Sequence, residues 1–467
     1  MLPTFRRWAF ERLLSSVRTG LTPITVVRGP RQVGKSTLQD QVIAKLLDDG
    51  VHPTRILKVQ FDEIAPLLKQ HTPILAICWW FESQVLKRTL NEAAHAGEPA
   101  YLFLDEVQNL TDWAAELKSL VDNRTVRVLV TGSSALRIES GRDSLAGRIS
   151  TIELGPLLLR EVSELGLGTP LPPVLADNGL ERLVTKDLWS EIARHGRQHV
   201  HPRDEAFKRW SARGGYPRAQ ERFDAPWEDV ASNLVETVVD RAIQHDLRQG
   251  ERGRKRDESL LREVFKLACR YTGQSPTQSV FIEDIRSSLG GNVGWQRVQN
   301  YLRFLEGAML LRLIEPLELR LKRKRGAPKV CVCDHALRAA WLHEVVPLDP
   351  DGLERMPHLA DLAGRLAESV AGYFLSSIPH LGVNHFPARG AEPEVDFVLT
   401  VGERRVPVEI KYRRRIDPHE DTRGIRAFVE KAAYNAPFGV LVTLLDDVVV
   451  DDPRVVPVSL RSLLLLR

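Results

Sequence analysis

The stretch Gly29-Pro-Arg-Gln-Val-Gly-Lys-Ser-Thr37 constrains this chain more than any other, because few local structures can accommodate it. Glycines at 29 and 34 allow a tight loop whose backbone N–H groups point inward. The apolar run Ile24-Thr-Val-Val27 supplies a strand before the loop, and Thr37-Leu-Gln-Asp40 is compatible with a helix after it. A loop opening onto a helix N-terminus favours phosphate, through both its free N–H groups and the helix dipole. Gly29, Pro30, Arg31, Gln32, Val33, Gly34, Lys35, Ser36 and Thr37 are therefore the expected ATP-binding residues. Lys35 should reach the β and γ phosphates, and the Ser36 hydroxyl should face Mg²⁺.

A second element completes that chemistry. Tyr101-Leu-Phe-Leu-Asp105-Glu106 reads as a buried strand ending in two carboxylates, which an apolar core does not tolerate without a cation or hydrogen-bonding partners. Asp105 fits the Mg²⁺ shell, and Glu106 fits a general base that polarises the attacking water. The next apolar run, Val126 to Val130, leads into Thr131-Gly-Ser133-Ser134, whose hydroxyls could hold the water or the γ phosphate. Apolar runs at 24–28, 56–61, 101–104, 126–131 and 149–154 alternate with amphipathic stretches, the pattern of a parallel sheet built from βαβ units.

The chain has 467 residues, more than one hydrophobic core normally organises. No apolar run reaches the 18 or so residues a membrane-spanning helix needs. Its start also lacks a secretory apolar core, so the expectation is a cytoplasmic protein with no membrane contact. Cys78, Cys269, Cys331 and Cys333 lack metal-ligand spacing and read as buried thiols. The net charge of +4 is unevenly spread: Arg241 to Val330 holds 19 Lys/Arg against 10 Asp/Glu, a net of +9 that leaves −5 elsewhere. Such a basic segment suits a polyanion such as DNA, or simply a solvated helix face.

Within that segment, Leu260 to Tyr271, Ser279 to Leu289 and Gly294 to Leu305 read as three helices, and Met309 to Ile314 as a strand. This order is a helix-turn-helix followed by a wing. Gln296, Arg297, Gln299, Asn300 and Arg303 share the polar side of the third helix, and Lys322, Arg323, Lys324 and Arg325 could grip phosphate. Further on, Glu394-Val-Asp396 and Val406-Pro-Val-Glu409-Ile-Lys411 lie on strands separated by a turn at Gly402. Glu409 and Lys411 project to one face. Two carboxylates beside a lysine can hold Mg²⁺ or Mn²⁺ and support attack on a phosphodiester, or can form a salt bridge in a fold that only docks DNA.

Taken together, Gly29 to Ser36, Leu104-Asp-Glu-Val-Gln108 and Val130-Thr-Gly-Ser-Ser134 resemble a family of bacterial and archaeal AAA-type ATPases whose members carry a C-terminal domain related to restriction-type nucleases. The resemblance implies an α/β fold: a P-loop AAA+ parallel-sheet module (1–165), a helical lid (166–250), a winged helix (251–333) and an α/β nuclease-like domain (334–467). It implies Ser133, with Ser134 as rival, at the sensor position, and Arg148, with Arg142 as rival, as an arginine finger acting in trans within a ring, most simply a hexamer. It also implies a lid motif at Gly214-Gly-Tyr-Pro-Arg218, with Arg218 on the nucleotide, although such a turn is equally a helix stop. Similarity to PD-(D/E)xK nucleases implies Glu368, Asp396, Glu409 and Lys411 as a nuclease-like site, although Glu394-Val-Asp396 departs from a literal Pro-Asp. The functional expectation is an ATP-driven protein that remodels or repairs DNA, with branched or broken DNA as the candidate substrates. The alternative is a signalling or defence NTPase switch.

Overall fold

The computed structural model of the chain describes residues 2–61, 71–132, 145–175, 179–247, 257–290, 293–318, 326–388, 390 and 392–467. It divides into two units, Met1–Gly155 with Gly307–Met309, and Pro156–Glu306 with Leu310–Arg467. Among the described residues no helix is long and apolar enough to cross a membrane.

The first unit is built on five parallel strands: β1 (Ile24–Arg28), β2 (Ile56–Gln60), β3 (Tyr101–Asp105), β4 (Arg127–Gly132) and β5 (Ile149–Glu153). They lie in the order β2-β3-β4-β1-β5. Burial drives their formation: β3 is buried along its whole length, as an inner parallel strand covered on both faces must be. Ile24, Val26, Leu102, Leu104, Val128 and Val130 enter one core with Leu117 and Leu120 from the helix Trp113–Asn123. Because all five strands run the same way, the ends of β1, β3 and β4 open on one edge of the sheet.

In the second unit, the helices Glu258–Arg270, Gln278–Leu289 and Trp295–Gly307 precede β6 (Leu311–Ile314) and β7 (Lys329–Val332), which pair antiparallel. Three helices thus precede a two-stranded hairpin. Val298, Tyr301, Leu302 and Leu305 face inward from the third helix, and Gln296, Arg297, Asn300 and Arg303 are exposed. A second sheet follows the helix Ala360–Ser376: β8 (Gly382–Phe386), β9 (Val395–Val401) and β10 (Arg404–Lys411) form an antiparallel meander. After the helix Arg423–Val429, β11 (Gly439–Thr443) runs parallel to β10, and β12 (Val455–Ser459) runs parallel to β11. The meander and crossover give a mixed α/β sheet.

Among the described residues a single bridge ties the hairpin to this sheet. Leu317 N donates to His385 O at 2.7 Å and His385 N to Glu315 O at 3.1 Å, so the chain leaving β6 pairs with β8. The helices read from sequence as a lid also pack within this second unit. Arg203, on the helix Val200–Arg213 and fully buried, donates to Asp446 at 2.7 and 3.0 Å and to Ser462 Oγ at 2.8 Å, while Val174 and Leu175 N–H groups bond Leu465 and Leu466 carbonyls.

Candidate functional site

The loop between β1 and the helix Lys35–Asp48 has its two glycines for different reasons. A Cβ on Gly29 would sit 2.1 Å from the Leu154 carbonyl oxygen, whereas Gly34 has open space but a φ of 91°. Gln32 also has a left-handed φ, of 64°. Alternation of such conformations turns successive N–H groups toward one point, an anion-binding nest. Lys35 folds back into the loop, donating to Gly29 O at 3.0 Å and Pro30 O at 2.8 Å. Burial pulls its ammonium down to about 8, against the opposing pull of Glu106 and Asp105. Among the described residues no carboxylate reaches it as an ion-pair partner. A buried cation bonded only to carbonyls is suited to a phosphate.

The edge of the sheet brings the acidic residues to that lysine. Ser36 Oγ donates to Asp105 Oδ2 at 2.7 Å, and Thr131 Oγ1, at the end of β4, donates to Asp105 Oδ1. Asp105 is thereby fixed on both oxygens. Glu106 follows with a φ of 54°, a conformation a non-glycine residue adopts only when its surroundings hold it there. Its carboxylate accepts from Gln108 Nε2. Arg7, 5% exposed, adds a brace from the N-terminal segment by donating to Val33 O in the loop and to Gly155 O at 2.9 Å. Sequence reading missed Arg7, Thr131 as the Asp105 partner, and Gln108. Of these only Thr131 carried a signal, as a hydroxyl at a strand end beside the acidic one.

The remaining nucleotide-site expectations divide. Ser133, Ser134 and Arg142 lie outside the described residues. Arg148 sits just before β5 and bonds Ile24 N through its carbonyl, at the end of the sheet opposite the loop. Five strand residues span about 16 Å, too far for its side chain to reach the loop of its own chain. Its guanidinium instead forms a fork with Asp122, at 2.5 and 3.1 Å. The Gly214-Gly215 turn has a packing role: a Cβ on Gly214 would lie 2.2 Å from Asp334 Oδ1, Gly215 N donates to Asp334 Oδ2 at 2.6 Å, and Tyr216 is fully buried. Arg218 is exposed on the short helix that follows.

Residues 21–163 match the family profile of an AAA domain. The five-stranded parallel sheet of this part has the fold of a P-loop AAA-type module. Residues 204–345 match a second profile, a domain of unknown function named DUF8612, which spans the end of the expected lid, the three helices and hairpin of the expected winged helix, and the helix His335–Leu342. Among curated proteins, an uncharacterized protein of Methanocaldococcus jannaschii, MJ1637, is 26% identical over 344 residues, covering 72% of this chain and 66% of that protein. An uncharacterized protein of Mycobacterium tuberculosis, Rv2008c, is 25% identical over 374 residues, covering 78% and 66%. The aligned part of the chain thus spans just under two thirds of the length of these relatives. Solved structures that align include Cdc6p from Pyrobaculum aerophilum, at 15% identity, 73% and 95% coverage and a TM-score of 0.27. A signal transduction ATPase with numerous domains from Pyrococcus horikoshii aligns at 13% identity, 79% and 47% coverage and a TM-score of 0.27.

The C-terminal candidates converge as well. Asp396 at the start of β9 lies beside the end of β10, and its Oδ2 accepts from Ile410 N at 2.8 Å. Glu409 accepts from Lys411 Nζ at 2.7 Å, and Glu368 projects from the helix Ala360–Ser376 to within hydrogen-bonding reach of Asp396. A side chain not foreseen joins them. Lys329, at the start of β7 and 2% exposed, contacts Glu368 and lies 3.1 Å from Asp396 Oδ1. Burial alone would lower this ammonium, but the charges of Asp396 and Glu368 outweigh it and raise it above its ordinary value. Glu409 is pushed up to about 8, first by burial and then by the Asp396 charge. Of the DNA-contact candidates, Arg297 is exposed and 3.4 Å from Asp257, while Lys322, Arg323, Lys324 and Arg325 lie outside the described residues.

Proposed function

We propose that the chain binds and hydrolyses ATP with Mg²⁺ and uses the cycle to remodel or repair DNA, most simply branched or broken DNA. The observation that carries the ATPase reading is the meeting of Lys35, Ser36, Asp105 and Glu106 where β1 and β3 end. Mg²⁺ fits the converging Ser36 hydroxyl and Asp105 carboxylate, where it would neutralise phosphate charge. Lys35 would exchange its two carbonyl partners for the β and γ phosphates. Glu106 would accept the proton of the attacking water.

DNA contact is supported by the exposed Arg297, Asn300 and Arg303 and by the basic run Lys322 to Arg325 within a +9 segment. Arg148, remote from its own loop, is the residue we assign to a neighbouring copy in a ring, leaving Asp122 for a γ phosphate. Ser133 and Arg218 are assigned sensor and nucleotide-contact roles on the resemblance. A cytoplasmic location is part of the same reading.

The second reading, a slow nucleotide-gated switch in signalling or defence, draws on the Glu106–Gln108 contact, which holds the base away from free use. One experiment separates the two: steady-state ATP hydrolysis by the full chain with and without duplex or branched DNA. A motor gains several-fold in rate; an unchanged rate with every DNA favours the switch. Mixing Arg148→Ala with Glu106→Gln subunits should restore part of the activity at interfaces that keep both groups. No recovery at any ratio removes Arg148 from the trans role.

A further inference from the structure

Glu368, Asp396 and Glu409 are the residue types that hold a divalent ion in nuclease-like folds, so the fit of such an ion can be tested against their geometry. It does not fit. Mg²⁺ takes oxygens at about 2.1 Å in near-octahedral geometry and keeps several waters. The space among these carboxylates instead holds the Lys329 ammonium, touching Glu368, 3.1 Å from Asp396 and 3.8 Å from Glu394. Lys411 adds a second ammonium, 2.7 Å from Glu409. Among the described residues no group of three or more His, Cys, Asp or Glu side chains is placed to hold a metal.

Nor is Lys329 a side chain that could easily swing aside. Its strand is bonded on both edges: β7 pairs with β6, Val330 N donates to Gln274 O at 2.9 Å, and Gly273 N donates to Val330 O at 2.8 Å. Val332 N donates to Ser369 Oγ at 3.0 Å, one residue beyond Glu368 on the helix Ala360–Ser376. The ammonium also lies 5.1 Å from the centroid of the Phe397 ring. A cation held between a ring face and carboxylates is well satisfied.

We propose that Lys329 is a built-in cation standing where a divalent ion would bind, so that the C-terminal sheet takes up no catalytic metal and does not cleave nucleic acid. The carboxylates serve instead to fasten the hairpin strand β7 to β9 and to the helix Ala360–Ser376. This inference stands apart from the ATPase reading, since it concerns a separate set of residues.

The test is Mn²⁺ titration of the nucleotide-free full chain, followed by electron paramagnetic resonance, with plasmid DNA cleavage in Mg²⁺ and Mn²⁺ alongside. The proteins are the parent, Asp396→Asn, Glu409→Gln, Lys329→Met, and Lys329→Met combined with Asp396→Asn. The parent and both carboxylate variants should bind Mn²⁺ equally and leave DNA intact. Lys329→Met should gain one Mn²⁺ per chain, and the double variant should lose it again. The proposal is overturned if the parent binds an ion, or cuts DNA, in a way that either carboxylate variant abolishes. It is also overturned if a folded Lys329→Met gains no ion. Should circular dichroism show Lys329→Met unfolded, the parent and its carboxylate variants decide alone: equal binding and intact DNA support the built-in cation, and loss of binding or of cleavage rejects it.

Discussion

The two acidic sites of this chain share their ingredients and differ in what their lysines lack. Lys35 is buried with carbonyl partners only, and burial depresses its ammonium to about 8. Lys329 is just as buried but lies among Glu368, Asp396 and Glu394, whose charges hold it above its usual range. A cation with no carboxylate in direct contact is a site for an incoming anion; a saturated one closes the space around it. Carboxylates near a lysine therefore mean opposite things according to how the charge is balanced, and residue type alone does not distinguish them.

The comparison is broken most forcefully at Glu106. Glu106→Gln keeps size and hydrogen bonding but cannot take a proton, so turnover should fall by about 10² to 10⁴ while ATP binding persists. Parental hydrolysis by that variant would remove Glu106 as the base. Stability should then separate the lysines. Lys329→Met strands buried carboxylates and should cost about 3–5 kcal/mol in chemical denaturation, whereas Lys35→Met removes a buried ammonium that no carboxylate contacts directly and should cost less than about 1 kcal/mol. Equal losses would erase the distinction between the two sites. A smaller effect is expected at Gln108: Gln108→Ala should raise the ATPase rate a few-fold if the amide restrains Glu106, and a fall in rate would mean that it positions the base instead. Smallest is the basic run. Replacing Lys322, Arg323, Lys324 and Arg325 with Ala should make the slope of log K against log salt for duplex DNA shallower by about 0.9 for each phosphate no longer neutralised. An unchanged slope would place those charges away from DNA.

How much of this was legible in the sequence depends on the distance over which each signal acts. The strands of the first sheet are written locally: Ile24 to Arg28 is β1 residue for residue, because a strand covered on both faces must be a short apolar run. The loop glycines and the Asp105-Glu106 strand end are local too. The helix Trp295–Gly307 shows its polar and apolar sides as its periodicity implied. Lys329 was not legible, since its meaning comes from partners 39 and 67 residues away, and in sequence it extends the basic run that precedes it. Arg7 is hidden for the same reason, its carbonyl partners being 26 and 148 residues distant. The Gly214-Gly215 turn was legible as a turn but not as a joint, because its purpose is set by the buried carboxylate of Asp334.

All four cysteines are buried thiols, Cys78 in the first unit and Cys269, Cys331 and Cys333 in the second. Burial pushes Cys78 and Cys269 up to about 12, and carries the other pair higher still. At neutral pH none offers a thiolate to an alkylating reagent until the polypeptide around it opens. Each unit thus carries its own chemical clock. The rate at which one cysteine or three become modified, with and without nucleotide or DNA, would time the opening of the two units separately in unlabelled, unmutated protein.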